Sequence, residues 1–208
     1  NAHASLNRSK HSIGLNLKHP EAVKIVNQLV KKYDIVLEQF RPGVMKRLGL
    51  DYKQLRIQNP SLIFCSLTGY GQTGGYKYRA GHDLNYLAIS GFSNYSRRKN
   101  ELPVPLGVQV ADIAGGSYHV VIGILSAVIH RHLTGEGQAI DISMADAMLS
   151  MNVFEGVNWL GGGEGAEPES NFLNGGTLYD YYLTKDGRIV SVSSLEPNFF
   201  AALINAMD

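Results

Sequence analysis

Ser61-Leu62-Ile63-Phe64-Cys65-Ser66-Leu67 is the stretch that decides the fold. Its apolar residues run on rather than alternate, and the run is too short for an ordinary helix, so it reads as a strand buried on both faces. Asp34-Ile35-Val36-Leu37-Glu38 reads the same way. Between these strands, Arg41-Pro42-Gly43 starts a short helix through Leu48, and Asp51 caps another. Upstream, Ser12 to Leu17 alternates as a strand, and Pro20-Glu21 opens a helix with Val23, Ile25, Val26, Leu29 and Val30 on its apolar face. Strands buried on both faces that alternate with helices call for a parallel sheet flanked by helices, an α/β fold.

Downstream, Asp83 to Ser90 reads as a helix, Gln138 to Ser143 as a strand and Met144 to Leu160 as a helix. Ile113 to Leu133 is apolar nearly all round and close to the length of a membrane span. His119, two glycines before it and the His130-Arg131-His132 end favour a central buried helix. Gly161 to Ser170, rich in glycine and glutamate, reads as a linker. Leu178 to Thr184, a Lys185-Asp186-Gly187 turn and Arg188 to Ser193 form a hairpin. The organisation is therefore a large α/β domain over residues 1–145, a connecting helix and linker over 146–171, and the start of a second, smaller domain over 172–208. The chain begins at Asn1, and its last helical stretch stops at Asp208 without a cap, so a longer protein is expected.

A formal net charge of +1 with 18% charged residues gives no field for nucleic acid or an acidic membrane. The basic run Arg97-Arg98-Lys99 reads as a solvated loop. The lone Cys65 lies in the apolar strand, which excludes an intrachain disulfide and fits a buried thiol in a reducing compartment. Glycine supplies 23 of 208 residues, above the usual share of about 7%. The excess clusters at 69–75, 115–116, 161–165 and 175–176, where backbone can approach a ligand.

Gly69-Tyr70-Gly71-Gln72-Thr73-Gly74 matches a dinucleotide-binding fingerprint, but no apolar helix follows it and no acid ends a strand about twenty residues on. A mobile glycine-rich loop beside a site fits better. Asp112 precedes the long helix and suits an N-cap. Gly115 and Gly116 would also leave that helix start uncovered, so free N–H groups there could hold an oxyanion. His82 sits between Gly81 and Asp83, itself a plausible cap for the next helix, and histidine is the residue type suited to proton transfer at physiological pH. Two such bases facing one carbon could remove a proton from one side and return it on the other. Glu196, before Pro197, suits a helix N-terminus or a partner that orients an imidazole. Arg8 and Lys10 precede one strand and Arg41 follows another, positions that suit phosphate oxygens or plain solvation. Among the other histidines, His119 reads as core, His3, His11 and His19 as surface, and no pair of the seven has metal-ligand spacing.

Leu6-Asn7-Arg8-Ser9-Lys10-His11-Ser12, Phe40-Arg41-Pro42-Gly43, Thr68 to Gly74, Gly81-His82-Asp83, Ala111-Asp112-x-x-Gly115-Gly116 and Gly137-Gln138-x-x-Asp141 occur in order along the chain. Together they resemble the class III CoA-transferases and α-methylacyl-CoA racemases, over essentially the whole length. The resemblance implies a doubly wound, mostly parallel α/β domain joined to a small domain, with two chains interlocked as a homodimer and CoA at the domain boundary. It implies Asp112 as a nucleophile in transferases or one of two bases in racemases. The Gly-His-Asp-x-Asn-Tyr pattern at 81–86 resembles the racemase branch, as does Leu195-Glu196-Pro197, where Glu196 would partner His82. Arg8, Lys10 and Arg41 would contact the CoA nucleotide, Tyr86 would line the site, and an amide around Gly115 would hold the enolate oxygen. Gly75 departs from the family, whose loop often has proline there. The expected reaction is racemisation of 2-methylacyl-CoA with no metal and no cofactor beyond CoA itself. A CoA-transferase using Asp112 covalently is the alternative, and a CoA-binding fragment without turnover the third. A cytoplasmic location is expected, peroxisomal or mitochondrial in a eukaryote.

Overall fold

A computed structural model describes residues 5–165 and 167–207; His3, Ala166 in the linker and Asp208 lie outside the described residues. Three parallel strands form the sheet, β1 (Ile35–Glu38), β2 (Ile63–Thr68) and β3 (Ala139–Ser143), in the order β1-β2-β3. The apolar run therefore forms the central strand. Phe64 pairs with Val36 on one side and with Ala139 on the other, and Cys65 pairs with Leu37 and Ile140.

Helices cover both faces of β2. Under Phe64 lie α1 (Pro20–Val30) and α3 (Tyr52–Gln58), which follows the short α2 (Val44–Arg47); Val30, Leu50, Leu55 and Leu62 join Phe64 in one buried cluster. Asp51 caps α3 as expected, its Oδ1 accepting from the Gln54 amide at 3.0 Å. The opposite face takes the long helix, wound as a π-helix over Ala111–Tyr118 and as α6 (His119–Thr134) beyond; α4 (Asp83–Ile89) and the short α5 (Phe92–Tyr95) precede it. Gly123 lets α6 close on the sheet, since a Cβ there would stand 3.1 Å from the Ile140 side chain.

Several expectations need correction. Ser12 to Leu17 forms no strand: it is irregular up to Asn16, and Leu17 enters a turn. Alternation supplies no pairing partner, and here Leu17 packs onto the cluster under Phe64. The long helix is buried on one side alone. Val120 and Ala127 are buried, whereas Ile122, Leu125 and Ile129 are each about 60% exposed (60%, 58% and 63%), so an all-round apolar surface did not mean all-round burial. By length and composition 111–134 is also the one described run able to cross a membrane. Met144 to Leu160 is two helices, α7 (Met144–Met151) and α8 (Val153–Leu160). Asn152 breaks them apart, with ψ at 55° and its side-chain Nδ2 donating to Ser90 O at 2.7 Å.

The hairpin forms as read, β4 (Asp180–Leu183) pairing antiparallel with β5 (Ile189–Val192), and α9 (Pro197–Met207) follows. Arg98 is not a solvated charge. Its guanidinium donates to Asp180 at 2.6 Å and to Glu169 at 3.1 Å, and ties the 96–102 loop to the hairpin. The hydrogen bond from Arg98 holds the Asp180 carboxyl below its ordinary range. Cys65 is fully buried, and burial together with the nearby Glu38 and Asp141 pushes its thiol up to about 11. At neutral pH it is an inert thiol.

Candidate functional site

Two helix starts meet beyond the ends of β2 and β3. α4 (Asp83–Ile89) begins at His82, and the π-helix begins at Ala111. Asp83 joins them. It is buried, and its Oδ1 accepts from the Ala111 amide at 2.7 Å and from the Asp112 amide at 3.1 Å. Asp83 therefore caps the long helix rather than its own. Asp112 does not act as the N-cap: it lies inside the π-helix, and its carboxylate accepts no hydrogen bond among the described residues. A half-buried carboxylate at a helix start with no capping duty is free for chemistry.

Capping by Asp83 ties the residue next to His82 to the Asp112 amide, and His82 lies near enough for its charge to bear on the Asp112 carboxyl. His82 is exposed, and its backbone is fixed by Asn85, whose Oδ1 accepts from the His82 amide at 3.0 Å. The Asp112 carboxyl is raised above its ordinary range, first by burial, then by the charge of Asp83, with His82 pulling the other way. An acid held up in this way stays closer to the pKa at which a proton is both taken and returned.

The same shift predicts a stability effect. A carboxyl raised in the folded state stabilises the fold below its unfolded pKa, about 3.9, and that contribution is lost as pH rises through the folded value. Asp112→Asn should therefore raise the melting temperature at pH 7, with the gain shrinking as the pH falls towards 4. Thermal melts of both proteins across that range check it. A gain that persists below pH 4 would show that ionisation of Asp112 is not its source.

Tyr86 lies beneath this pair rather than lining it. Its ring is buried, its hydroxyl donates to Gly81 O at 2.6 Å, and Tyr70 meets it edge-on at 5.2 Å. Gly69 and Gly81 bracket the phenol. A Cβ at Gly81 would fall 2.8 Å from the ring, and one at Gly69 nearer still. These two glycines thus make room for a tyrosine rather than for a ligand. Gly115 is likewise packed, not open: a Cβ there would meet Met144 O at 3.1 Å and the Met148 side chain at 3.3 Å. The amides of Ala111 and Asp112 are taken by Asp83, and that of Ile113 donates to Gln109 O. The uncovered helix start expected around Gly115 is thus absent from the described structure.

The glycine-rich loop from Gly69 to Gly74 opens no helix, which removes the dinucleotide reading. It is pinned at two points: Gly69 O accepts from the Ala145 amide at 3.0 Å, and the Gln72 amide donates to Asp141 Oδ2 at 2.8 Å. Gln72 also lines a cleft of about 470 Å³ on the Phe64 face of the sheet, with Glu38, Arg41, Lys46, Tyr52 and Asp141. Of the three cations read as phosphate contacts, Arg41 alone lines this cleft. Arg8 is exposed on the N-terminal turn, and Lys10 donates to its own Leu6 O and Asn7 Oδ1. Glu196 is exposed at the start of α9, where it lines a shallow hollow with Ser193, Phe199 and Leu203. The structure does not bring it to His82. The residues that sequence reasoning missed are Asp83, which it read as a local cap, and Asp141, which it quoted in a motif without a role.

A parallel sheet with helices on both faces is the architecture that carries these residues. The chain belongs to the CoA-transferase family III, whose sequence pattern matches residues 1–208. It is 38% identical over 204 residues to the alpha-methylacyl-CoA racemase of Homo sapiens, covering 97% of this chain and 53% of that protein. It is also 38% identical over 184 residues to the succinate–glutarate CoA-transferase of Agrobacterium fabrum, covering 88% of this chain and 46% of that one. A CAIB/BAIF family protein from Brucella suis superposes with a TM-score of 0.79 at 33% identity, over 97% of this chain and 53% of the other. The chain thus spans about half the length of the relatives it matches. Those relatives include both racemases and CoA-transferases.

Proposed function

We propose that the whole protein is a 2-methylacyl-CoA racemase and that this chain carries its two bases, His82 and Asp112. The observation that supports this most is the buried Asp83 carboxylate, which locks the Asp112 helix start to the residue next to His82. The thioester acidifies the α-carbon. One base takes its proton according to the substrate's hand, and the other protonates the opposite face. Proton transfer changes no oxidation state, so the reaction calls for no redox cofactor; in this reading the two bases work without a metal, and CoA enters only as part of the substrate. Arg41 and the cleft behind the glycine-rich loop suit the CoA nucleotide. The remaining expectations stand with this reading: a doubly wound large domain, a small domain from about residue 172, an interlocked homodimer and a reducing compartment.

A CoA-transferase is the second reading, favoured by the transferases among the relatives and by the unpartnered Asp112 carboxylate, which would serve as nucleophile. One experiment separates the two. A single-enantiomer 2-methylacyl-CoA is incubated in deuterated water with and without an acceptor carboxylate. Racemisation predicts α-deuteration with loss of chirality, independent of the acceptor. Acceptor-dependent CoA exchange without α-deuteration would replace it with the transferase.

A further inference from the structure

The helix that carries Asp112 changes its winding at His119, from π to α. A π turn closes each hydrogen bond one residue further along than an α turn, with poorer stability, and appears in proteins chiefly at functional sites. The His119 amide donates to Gly116 O, and the His119 ring reaches five residues back, with Nδ1 at 2.6 Å from Ala114 O. A carbonyl oxygen only accepts, so Nδ1 carries the proton. Ser117 makes the matching bond two residues earlier: its Oγ donates to Asp112 O at 3.2 Å, again five residues back. Both side chains thus supply bonds of π spacing, one of them to Asp112 itself.

We propose that His119 is a positioning residue for Asp112: its bond to Ala114 holds the wide turn, and the wide turn sets where the Asp112 carboxylate stands relative to His82. Rewinding this turn to α removes one residue from it and rotates the preceding chain by roughly 100°, one residue of a 3.6-residue turn. Asp83 grips the amides of Ala111 and Asp112, so the rotation is resisted at that end and is taken up between the Asp112 Cα and Ala114, which re-aims the Asp112 side chain. The positional half of this inference concerns the protein without substrate; the catalytic half rests on Asp112 acting as a base.

The test compares His119→Leu with His119→Asn in the full-length protein, since an asparagine Nδ2–H can replace the Nδ1–H donor. In the substrate-free protein, NMR titration of the Asp112 carboxyl is expected to show a midpoint lowered in His119→Leu and restored in His119→Asn. Amide exchange at Gly115 and Gly116 should quicken in the first and recover in the second. In turnover, His119→Leu should lower kcat for α-proton exchange by up to about 100-fold, the loss that a misplacement of about 1 Å brings, with little change in KM. His119→Asn should recover most of it. If His119→Leu does not fold, Ser117→Ala carries the same readouts through the companion bond. An unchanged Asp112 midpoint and unchanged amide exchange would overturn the proposal whatever the activity. A shifted midpoint in a protein whose wild type exchanges no α-proton would uphold the positional half and sink the racemase reading instead.

Discussion

His82→Ala and Asp112→Asn are each expected to cut racemisation by about 10²–10⁴-fold, the range that a positioned acid or base supplies. The more telling result is asymmetry. With two bases on opposite faces of the α-carbon, removing one leaves the other able to deprotonate only the enantiomer whose proton faces it. That enantiomer should still exchange its α-proton for deuterium from solvent, with retention of configuration, because the same base returns what it took. His82→Ala should therefore wash deuterium into one hand of 2-methylacyl-CoA, and Asp112→Asn into the other. Chiral analysis of the labelled thioester after hydrolysis reads both outcomes. Equal and small effects on the two hands would be incompatible with the two-base scheme. Loss of all exchange in Asp112→Asn, with His82→Ala unaffected, would move the assignment to covalent chemistry at Asp112.

The alternation of elements was legible because it is a local property. A short, almost wholly apolar run has few structures open to it, and most of Ser61 to Leu67 lies in the central strand Ile63–Thr68, with Cys65 fully buried. What was not legible depends on contacts between distant residues. Ser12 to Leu17 carries a strand's alternation, yet alternation says nothing about whether a neighbouring strand exists. Arg98 reads as surface until Asp180 and Glu169, more than seventy residues on, come to meet it in pairs of 82 and 71 residues' separation. Gly115 offers the same ambiguity: a glycine near a helix start can admit a ligand or a neighbouring helix, and here α7 takes the space. His82 and Asp112 were picked out by residue type and local company, but their neighbourhood is made by a third residue. Asp83 was visible as an acid beside a histidine. That its carboxylate turns away from its own helix to cap one that starts 28 residues later has no signature in local sequence.

Asp83→Ala is expected to be the most damaging single change for stability at the site. It strips two charge-assisted bonds from the Ala111 and Asp112 amides, and Ala111 is fully buried, so water is not on hand to replace the acceptor. The cost is about 3 kcal/mol by the usual worth of bonds to a charged group, which for a domain of this size lowers the melting temperature by roughly 10 °C. Activity should fall as well, by about 100-fold, since the Asp112 amide is what fixes the base in place. Asp83→Asn divides these effects. Its amide oxygen can still accept from both amides, so most of the stability should return, but the negative charge is gone. Burial raises the Asp112 carboxyl first and the Asp83 charge second; with that charge removed, the Asp112 pKa falls and the acid limb of the kcat profile moves to lower pH. Melting curves and pH–rate profiles of the two variants together test the scheme. A stable Asp83→Ala protein with an unshifted profile would mean that the two helix starts are held by something other than the Asp83 carboxylate.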